Sequence, residues 1–365
     1  MKGLLVVFEE VRDPRKENAR HDLASILFIA VAATLCGEKT CVDFADFAEG
    51  RLEALREIVA LPHGAPSHDT FSRVFRVLDP GELCVALERF VSAMREALGL
   101  RGPRTVAIDG KSLNGAYEKG KACLPALMIN LWDNETRLAI AAVRAPNRNE
   151  AGGALEVLKS LVLKGATVTG DALYCRSDMV KACRDRKAHY AFKLKANNPA
   201  LFKQVEAAFR KRGAKLPVYE TTDRSHGRSE TRCASVIDAS HLASEDWPGL
   251  ACAIRVQTQR TTPDGKTELR TRYMISDRRF TPQKALELFR QHWAIENRLH
   301  WKLDVIFEED SARSRKDYAP ENLAVIRRIA HNILSAHPSD KSISRKMKLA
   351  SWSKDFFFEL FAHMQ

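Results

Sequence analysis

Two aspartates close short apolar runs. Asp109 ends Val106-Ala107-Ile108 and is followed by Gly110-Lys111; Asp171 ends Val168-Thr169-Gly170 and is followed by Ala172. A carboxylate at the end of a buried strand is costly to hold alone, and a single Asp there commonly caps the turn that follows. A pair suits a shared task. Side by side at a sheet edge, two carboxylates can hold a hard cation such as Mg²⁺, which prefers a few carboxylate oxygens plus water and phosphate. Two such ions about 4 Å apart can activate a nucleophile and stabilise the leaving oxygen of an in-line phosphoryl displacement. A third acid, Glu296, lies in Phe289-Arg290-Gln291-His292-Trp293-Ala294-Ile295-Glu296-Asn297. On a regular helix His292, Glu296 and His300 recur at four-residue steps on one face, which would let Glu296 meet the strand acids. Glu308, Glu309 and Asp310 compete for that place, but they stand beside Arg313 and Arg315, and ion pairing is their simpler reading.

Basic residues gather elsewhere. Arg224, His226, Arg228 and Arg232 are all even-numbered. Alternate residues of a strand share a face, so the four are expected to form one phosphate-contacting stripe on a β ribbon; a solvated strand face is the plainer alternative. His226 reads as a phosphate or hydrogen-bond partner, since no second metal ligand stands at a suitable spacing. Trp293 and Trp301 read as core packing.

The elements around these residues change character along the chain. Residues 1–98 form an N-terminal helical region, with Asp22 opening an apolar helix to Cys36 and Ser67 or Asp69 capping the helix that carries Phe71, Val74 and Phe75. Gly102-Pro103 marks the boundary. Residues 104–216 read as α/β: strands over 105–109, 127–131, 138–143, 166–171 and 189–195, with helices between the later ones. Residues 217–280 are a β insertion, with a hairpin predicted around Pro263-Asp264-Gly265-Lys266. Helical spacing returns over 281–338, and 339–365 form a basic tail ending in an apolar cluster at Phe356-Phe357-Phe358.

Composition bounds the partners. The 365 residues are 45% hydrophobic and 28% charged, enough for a substantial core, and the formal net charge is +12. That balance favours a polyanion through counterion release. The 8 cysteines include no Cys-x-x-Cys pair, so they read as buried thiols in a reducing compartment. The apolar run from Leu23 to Cys36 is too short to cross a bilayer, and the acids Glu9, Glu10, Asp13, Glu17 and Asp22 before it do not suit a signal peptide. A cytoplasmic, nucleoid-associated protein without a membrane partner is expected.

Taken in order, the motifs resemble those of the DDE insertion-sequence transposases, in the group that contains the H-repeat-associated proteins. Asp13-Pro14-Arg15, Arg20-His21 and Gly64-Ala65-Pro66-Ser67-His68-Asp69-Thr70-Phe71 resemble the family's N-terminal associated region. Ala107-Ile108-Asp109-Gly110-Lys111 matches the first catalytic motif and Thr169-Gly170-Asp171-Ala172 the second, where a residue bulkier than Gly170 is more usual. His226-Gly227-Arg228 with Glu230 and Arg232 matches a basic motif. His292-Trp293-Ala294-Ile295-Glu296-Asn297, with Leu299-His300-Trp301 and Leu303-Asp304-Val305, matches the third. Phe289, His292 and Leu303 depart from the wider Tyr, Arg and Lys signature around that acid, and Pro146-Asn147-Arg148-Asn149-Glu150 matches a Lys-Ser-Asn-Glu run only in part.

The resemblance implies a ribonuclease-H-like catalytic core, interrupted by a β-strand insertion and preceded by the helical domain. It implies two Mg²⁺ or Mn²⁺ ions held by Asp109, Asp171 and Glu296, with Lys111, Arg228 and His292 contacting phosphates. Double-stranded DNA is the implied partner, both as terminal repeats bound by the helical domain and as target, with the chain acting as a homo-oligomer. Strand cleavage by water would precede in-line attack of the freed 3′-hydroxyl on target phosphorus. A nuclease that cuts without joining, and an inactive DNA-binding relic, are the alternatives.

Overall fold

The computed structural model describes residues 2–15, 19–100, 104–116, 124–225 and 228–362, so Gly102-Pro103, Cys123 and His226 lie outside the described residues. The chain forms two compact units, one of Met1–Arg101, Gly110–Gly153 and Glu296–Gln365, the other of Gly102–Asp109 and Ala154–Ile295.

The first unit begins with helices α1 (Lys2–Glu9), α2 (Leu23–Cys36), α3 (Cys41–Gly50), α4 (Leu52–Arg56), α5 (His68–Val77) and α6 (Pro80–Ala97). Asp22 caps α2 by accepting from Ser25 N–H, and Gly37 ends it at φ 104°, a left-handed conformation that glycine adopts without strain. Every side chain of α2 is buried, which explains its lack of a polar face. Its partner is α12 (Ala319–Ala336), itself almost wholly buried. Strands β2 (Leu127–Asp133) and β3 (Leu138–Arg144) pair antiparallel, and α6 packs on β3. Arg95 of α6 pairs with the fully buried Asp133 at 2.9 Å. Residues 1–98 are therefore packed into this unit and do not stand apart from it. The tail is also folded, as α13 (Ile343–Trp352) and α14 (Lys354–Ala362), and Phe357 and Phe361 are buried. The short helix α11 (Trp301–Val305) completes the unit.

In the second unit, the strands run in the order β1-β4-β5-β9-β8-β7-β6. The first three, β1 (Thr105–Ser112), β4 (Thr167–Gly170) and β5 (His189–Leu194), are parallel, and β1 passes on into the first unit at Gly110. β9 (Thr267–Ser276) joins β5 antiparallel, and β8 (Cys252–Thr261), β7 (Arg228–Asp238) and β6 (Val218–Ser225) follow as a meander. The β insertion thus extends the sheet edge. The hairpin turn falls where predicted, between Thr261 and Thr267, with Gly265 at φ 80°. Helices α7 (Glu150–Ser160), α8 (Ser177–Asp185), α9 (Pro199–Arg212) and α10 (Pro282–His292) complete the fold; α7 begins in the first unit and ends in the second. Ala285, Leu286, Leu288 and Phe289 bury the apolar face of α10 against Ala191, Ala234, Ile254 and Met274. Among the described residues no single helix is long and apolar enough to cross a membrane.

Candidate active site

Strand pairing brings the two aspartates to one level. β1 and β4 pair through Ala107 and Thr169, and Asp109 and Asp171 each stand two residues further on. Neighbouring strands lie about 4.8 Å apart, so two half-exposed carboxylates project from adjacent strands at the same end of the parallel pairing. Their hard oxygens suit a divalent cation of the Mg²⁺ class. The Oδ1 of Asp171 accepts Leu173 N–H at 3.0 Å, capping the short turn Ala172–Tyr174 and fixing the carboxylate's orientation. Gly170 is required by packing: a Cβ there would lie 2.9 Å from Tyr174 and 3.1 Å from Phe192. The buried Tyr174 ring fills the volume that a bulkier residue would need.

Thr169 links this pair to α10. Its hydroxyl donates to Val106 O at 3.3 Å and lies 3.3 Å from His292 Nδ1. His292 is only 1% exposed, and burial, then the Lys193 ammonium, push its pKa down to about 3. A neutral, enclosed imidazole anchors the end of α10 on β4; the phosphate contact that the resemblance implies for His292 does not suit so buried a ring. Lys193 lies 4.6 Å from the centre of the Trp293 ring, a cation–π contact at the same helix end.

Glu296 follows in Ile295–His300, a π-helical segment and not a continuation of α10. The wider π turn breaks the four-residue repeat expected of His292, Glu296 and His300. Such segments frequently interrupt α-helices at functional positions. His300 belongs to the first unit, where its Nε2 lies 3.4 Å from Asn130 Nδ2. Burial, with Arg328 and Lys111 nearby, pushes its pKa to about 3 despite Asp310.

The rest of that unit's polar network occupies the later acids. Arg328, fully buried, donates to Asn130 at 2.6 Å and to Glu309 at 2.8 Å. Lys111 pairs with Asp304 at 2.6 Å and Asp310 at 3.1 Å, so its ammonium is already engaged by carboxylates. Burial raises the pKa of Asp304 against the pull of Lys111. For Asp310 burial is outweighed by hydrogen bonds from Asn114 and Lys111, and the pKa is lowered. Glu308 pairs with Lys39. Glu150 lies beside the first strand acid: its carboxylate carbon is 2.6 Å from where a Gly110 Cβ would stand. The partial Asn149-Glu150 match was its signal. No local pattern marked Arg328 or Asn130.

Arg224 and Arg232 do not share one stripe. Each β6–β7 pair joins an even-numbered residue to an odd-numbered one, as in Arg224↔Ser229 and Thr221↔Arg232. Directly opposed residues share a face, so Arg224 and Arg232 lie on opposite faces of the ribbon. Arg232 pairs with Asp223 at 2.5 Å and Glu230 at 2.7 Å, while Arg224 is exposed. Arg228 pairs with Ser225. Among the described residues, no group of three or more His, Cys, Asp or Glu side chains is gathered tightly enough to hold an ion.

Residues 5–91 match the family described as DDE_Tnp_1-associated, and residues 100–333 match the transposase DDE domain. YbfL of Escherichia coli strain K12 is 30% identical over 99% of this chain and 98% of its own length. The H repeat-associated YhhI of the same strain is 29% identical, with the same coverage. A protein encoded in the dhlA 3′ region of Xanthobacter autotrophicus is 32% identical over 69% of this chain and 87% of its own. A solved piggyBac transposase synaptic complex with hairpin DNA is similar at a TM-score of 0.43 and 13% identity, covering 100% of this chain and 77% of that one. With residues 100–333 of the 365 matching the transposase domain and the associated region ahead of them, the chain belongs to the DDE transposase family, in the group of the H repeat-associated proteins.

Proposed function

We propose that this transposase cleaves DNA strands at the ends of a mobile element and joins the freed 3′ ends to target DNA, in a ribonuclease-H-like core extended by its β insertion. The carrying observation is the matched placement of Asp109 and Asp171 beyond the last paired residues of β1 and β4. These two carboxylates, with Glu296 as the third ligand, would hold two Mg²⁺ or Mn²⁺ ions. Bound there, the ions supply charge stabilisation at phosphorus and lower the pKa of the attacking water. The chain's own part is to fix the ligands. Leu173 N–H orients Asp171, and His292 on Thr169 holds the end of the helix from which Glu296 follows. The net charge of +12 favours the polyanionic substrate, and the N-terminal helices are the proposed reader of the element ends, in a homo-oligomer assembled on DNA.

The test uses purified full-length protein and labelled DNA from the flanks of its own gene, with Mg²⁺ or Mn²⁺. Asp109→Ala and Asp171→Ala should each abolish cleavage and strand transfer while retaining DNA binding. Undiminished cleavage by either variant overturns the assignment. Cleavage without joined product by the parent would reduce the function to that of a nuclease.

A further inference from the structure

A cleft of about 730 Å³ opens in the N-terminal part of the first unit, between the segment that precedes α2 and the start of α5. Its volume falls in the range of small-ligand sites, about 300–1,000 Å³. Its chemistry has one sign: Arg15, Arg20 and Arg73 line it with His21 and His63, and no carboxylate is among the described lining residues. Arg15 is held in place by a bidentate pair with Asp13 and a 2.8 Å hydrogen bond to His21 O. The two imidazoles meet edge to face, with ring centres 6.2 Å apart. His21 Nδ1 is buried without a hydrogen-bond partner, so it has capacity for one more bond. Burial, then His63, Arg15 and Arg20, lower the pKa of this imidazole, so an incoming anion would relieve a cluster of like charges. Ser67 and Thr70 bring the first turn of α5, whose amides carry the positive end of the helix dipole, to the same wall.

The geometry points to a binding site for one nucleotide of a DNA strand, its phosphate taken by Arg20, Arg73 and His21 and its sugar set against Pro14 and Val77. Cleft walls of arginine and imidazole recognise a phosphodiester through charge-assisted hydrogen bonds, and the volume exceeds what a bare phosphate needs. This rests on the transposase reading only in taking the anion from DNA, and it gives the N-terminal region a defined contact.

The experiment measures DNA binding by fluorescence anisotropy across a salt series. It uses the full chain carrying Asp109→Ala, so that no cleavage intervenes. Arg20→Ala with Arg73→Ala is compared with Arg56→Ala, an exposed arginine outside the cleft. Both cleft arginines are exposed, so the pair should leave the melting temperature unchanged. The double variant should weaken binding about tenfold and flatten the slope of log K against log salt by about 1–2, as expected for the loss of phosphate contacts. Arg56→Ala should change neither. Unchanged affinity and slope in the double variant overturn the proposal and leave the catalytic reading intact. Inorganic phosphate or a mononucleotide that binds the parent and not the double variant, with duplex binding equal in both, makes the cleft a small-anion site and also overturns it. A parent that binds no DNA at all overturns the transposase reading together with this one.

Discussion

Gly110 and Glu150 share one space: a Cβ on Gly110 would lie 2.6 Å from the Glu150 carboxylate carbon. Gly110 directly follows Asp109, so a fourth carboxylate lies against the backbone beside the first strand acid. The obstacle is the far end of a flexible side chain, and Gly110→Ala can displace it without unfolding the protein. Gly110→Ala and Glu150→Gln should therefore melt near the parent temperature yet cleave DNA more slowly. The expected loss is about 10–100-fold, the range typical for partners of metal ligands. Full cleavage by both variants, measured at saturating Mn²⁺, would remove Glu150 from the site.

The Glu309–Arg328 pair is structural, and its loss should register as stability. Glu309 is 1% exposed and Arg328 0%. Removing one partner of a buried pair leaves an uncompensated charge, at a cost of about 3–5 kcal/mol. Arg328→Met also leaves Asn130 Oδ1 without its donor. Denaturant unfolding should show Arg328→Met and Glu309→Gln shifted to much lower midpoints. Glu308→Gln, whose partner Lys39 is on the surface, should change little. Equal midpoints for the Glu308 and Glu309 variants would refute the distinction.

Buried imidazoles set a pH dependence with a definite sign. His292, His300 and His331 all have pKa values pushed down to about 3, chiefly by burial. In the unfolded chain each titrates at about 6.5. Above that pH both states are neutral and these groups contribute no slope. As pH falls from 6.5 toward 3, the unfolded chain binds protons that the folded chain refuses, so stability declines. The limit is about 1.4 kcal/mol per pH unit for each imidazole. Unfolding free energies measured from pH 7.5 to 4.5 should show the decline beginning near 6.5. His331→Gln should lower stability throughout but reduce the slope below pH 6.5. An unaltered slope would show that His331 takes up its proton as readily in the fold as in the unfolded chain.

Much of the scaffold was legible because local pattern and burial agree. The apolar run before Asp171 is a strand that ends at Gly170, the run before Asp109 is a strand that continues to Ser112, and the Pro263–Lys266 turn closes the expected hairpin. What escaped was set by long-range pairing. Whether Arg224 and Arg232 share a face depends on the β6–β7 register, which alternation within one strand does not fix. The periodicity of His292, Glu296 and His300 suggested a regular helix, but the π segment lies between them. Arg328 reaches Glu309 and Asn130 only through the packing of α12, and nothing near it in the sequence announces that.

The three later acids are each held by basic or amide partners of the first unit. Glu309 is committed to Arg328, Asp310 to Lys111 and Asn114, and Glu308 to Lys39. Withdrawing Glu309 to bind a metal would strand a buried guanidinium, and withdrawing Asp310 would strip Lys111 of one of its carboxylates. Glu296 occupies the π segment that follows directly on the anchored end of α10, where His292 is fixed on Thr169. A ligand on a braced element can be held to the tolerance that catalysis requires. Glu296→Gln should therefore lose strand cleavage by orders of magnitude while its melting temperature and DNA affinity stay close to the parent's. Glu309→Gln should show the opposite order, with lowered melting as its primary defect. Asp310→Asn should retain most cleavage, because Lys111 keeps Asp304. Cleavage assays on all three, paired with thermal melts and Mn²⁺ titrations, separate these outcomes. If Glu296→Gln cleaves normally while Asp310→Asn is inactive yet fully folded and needs far more Mn²⁺, the third ligand is Asp310.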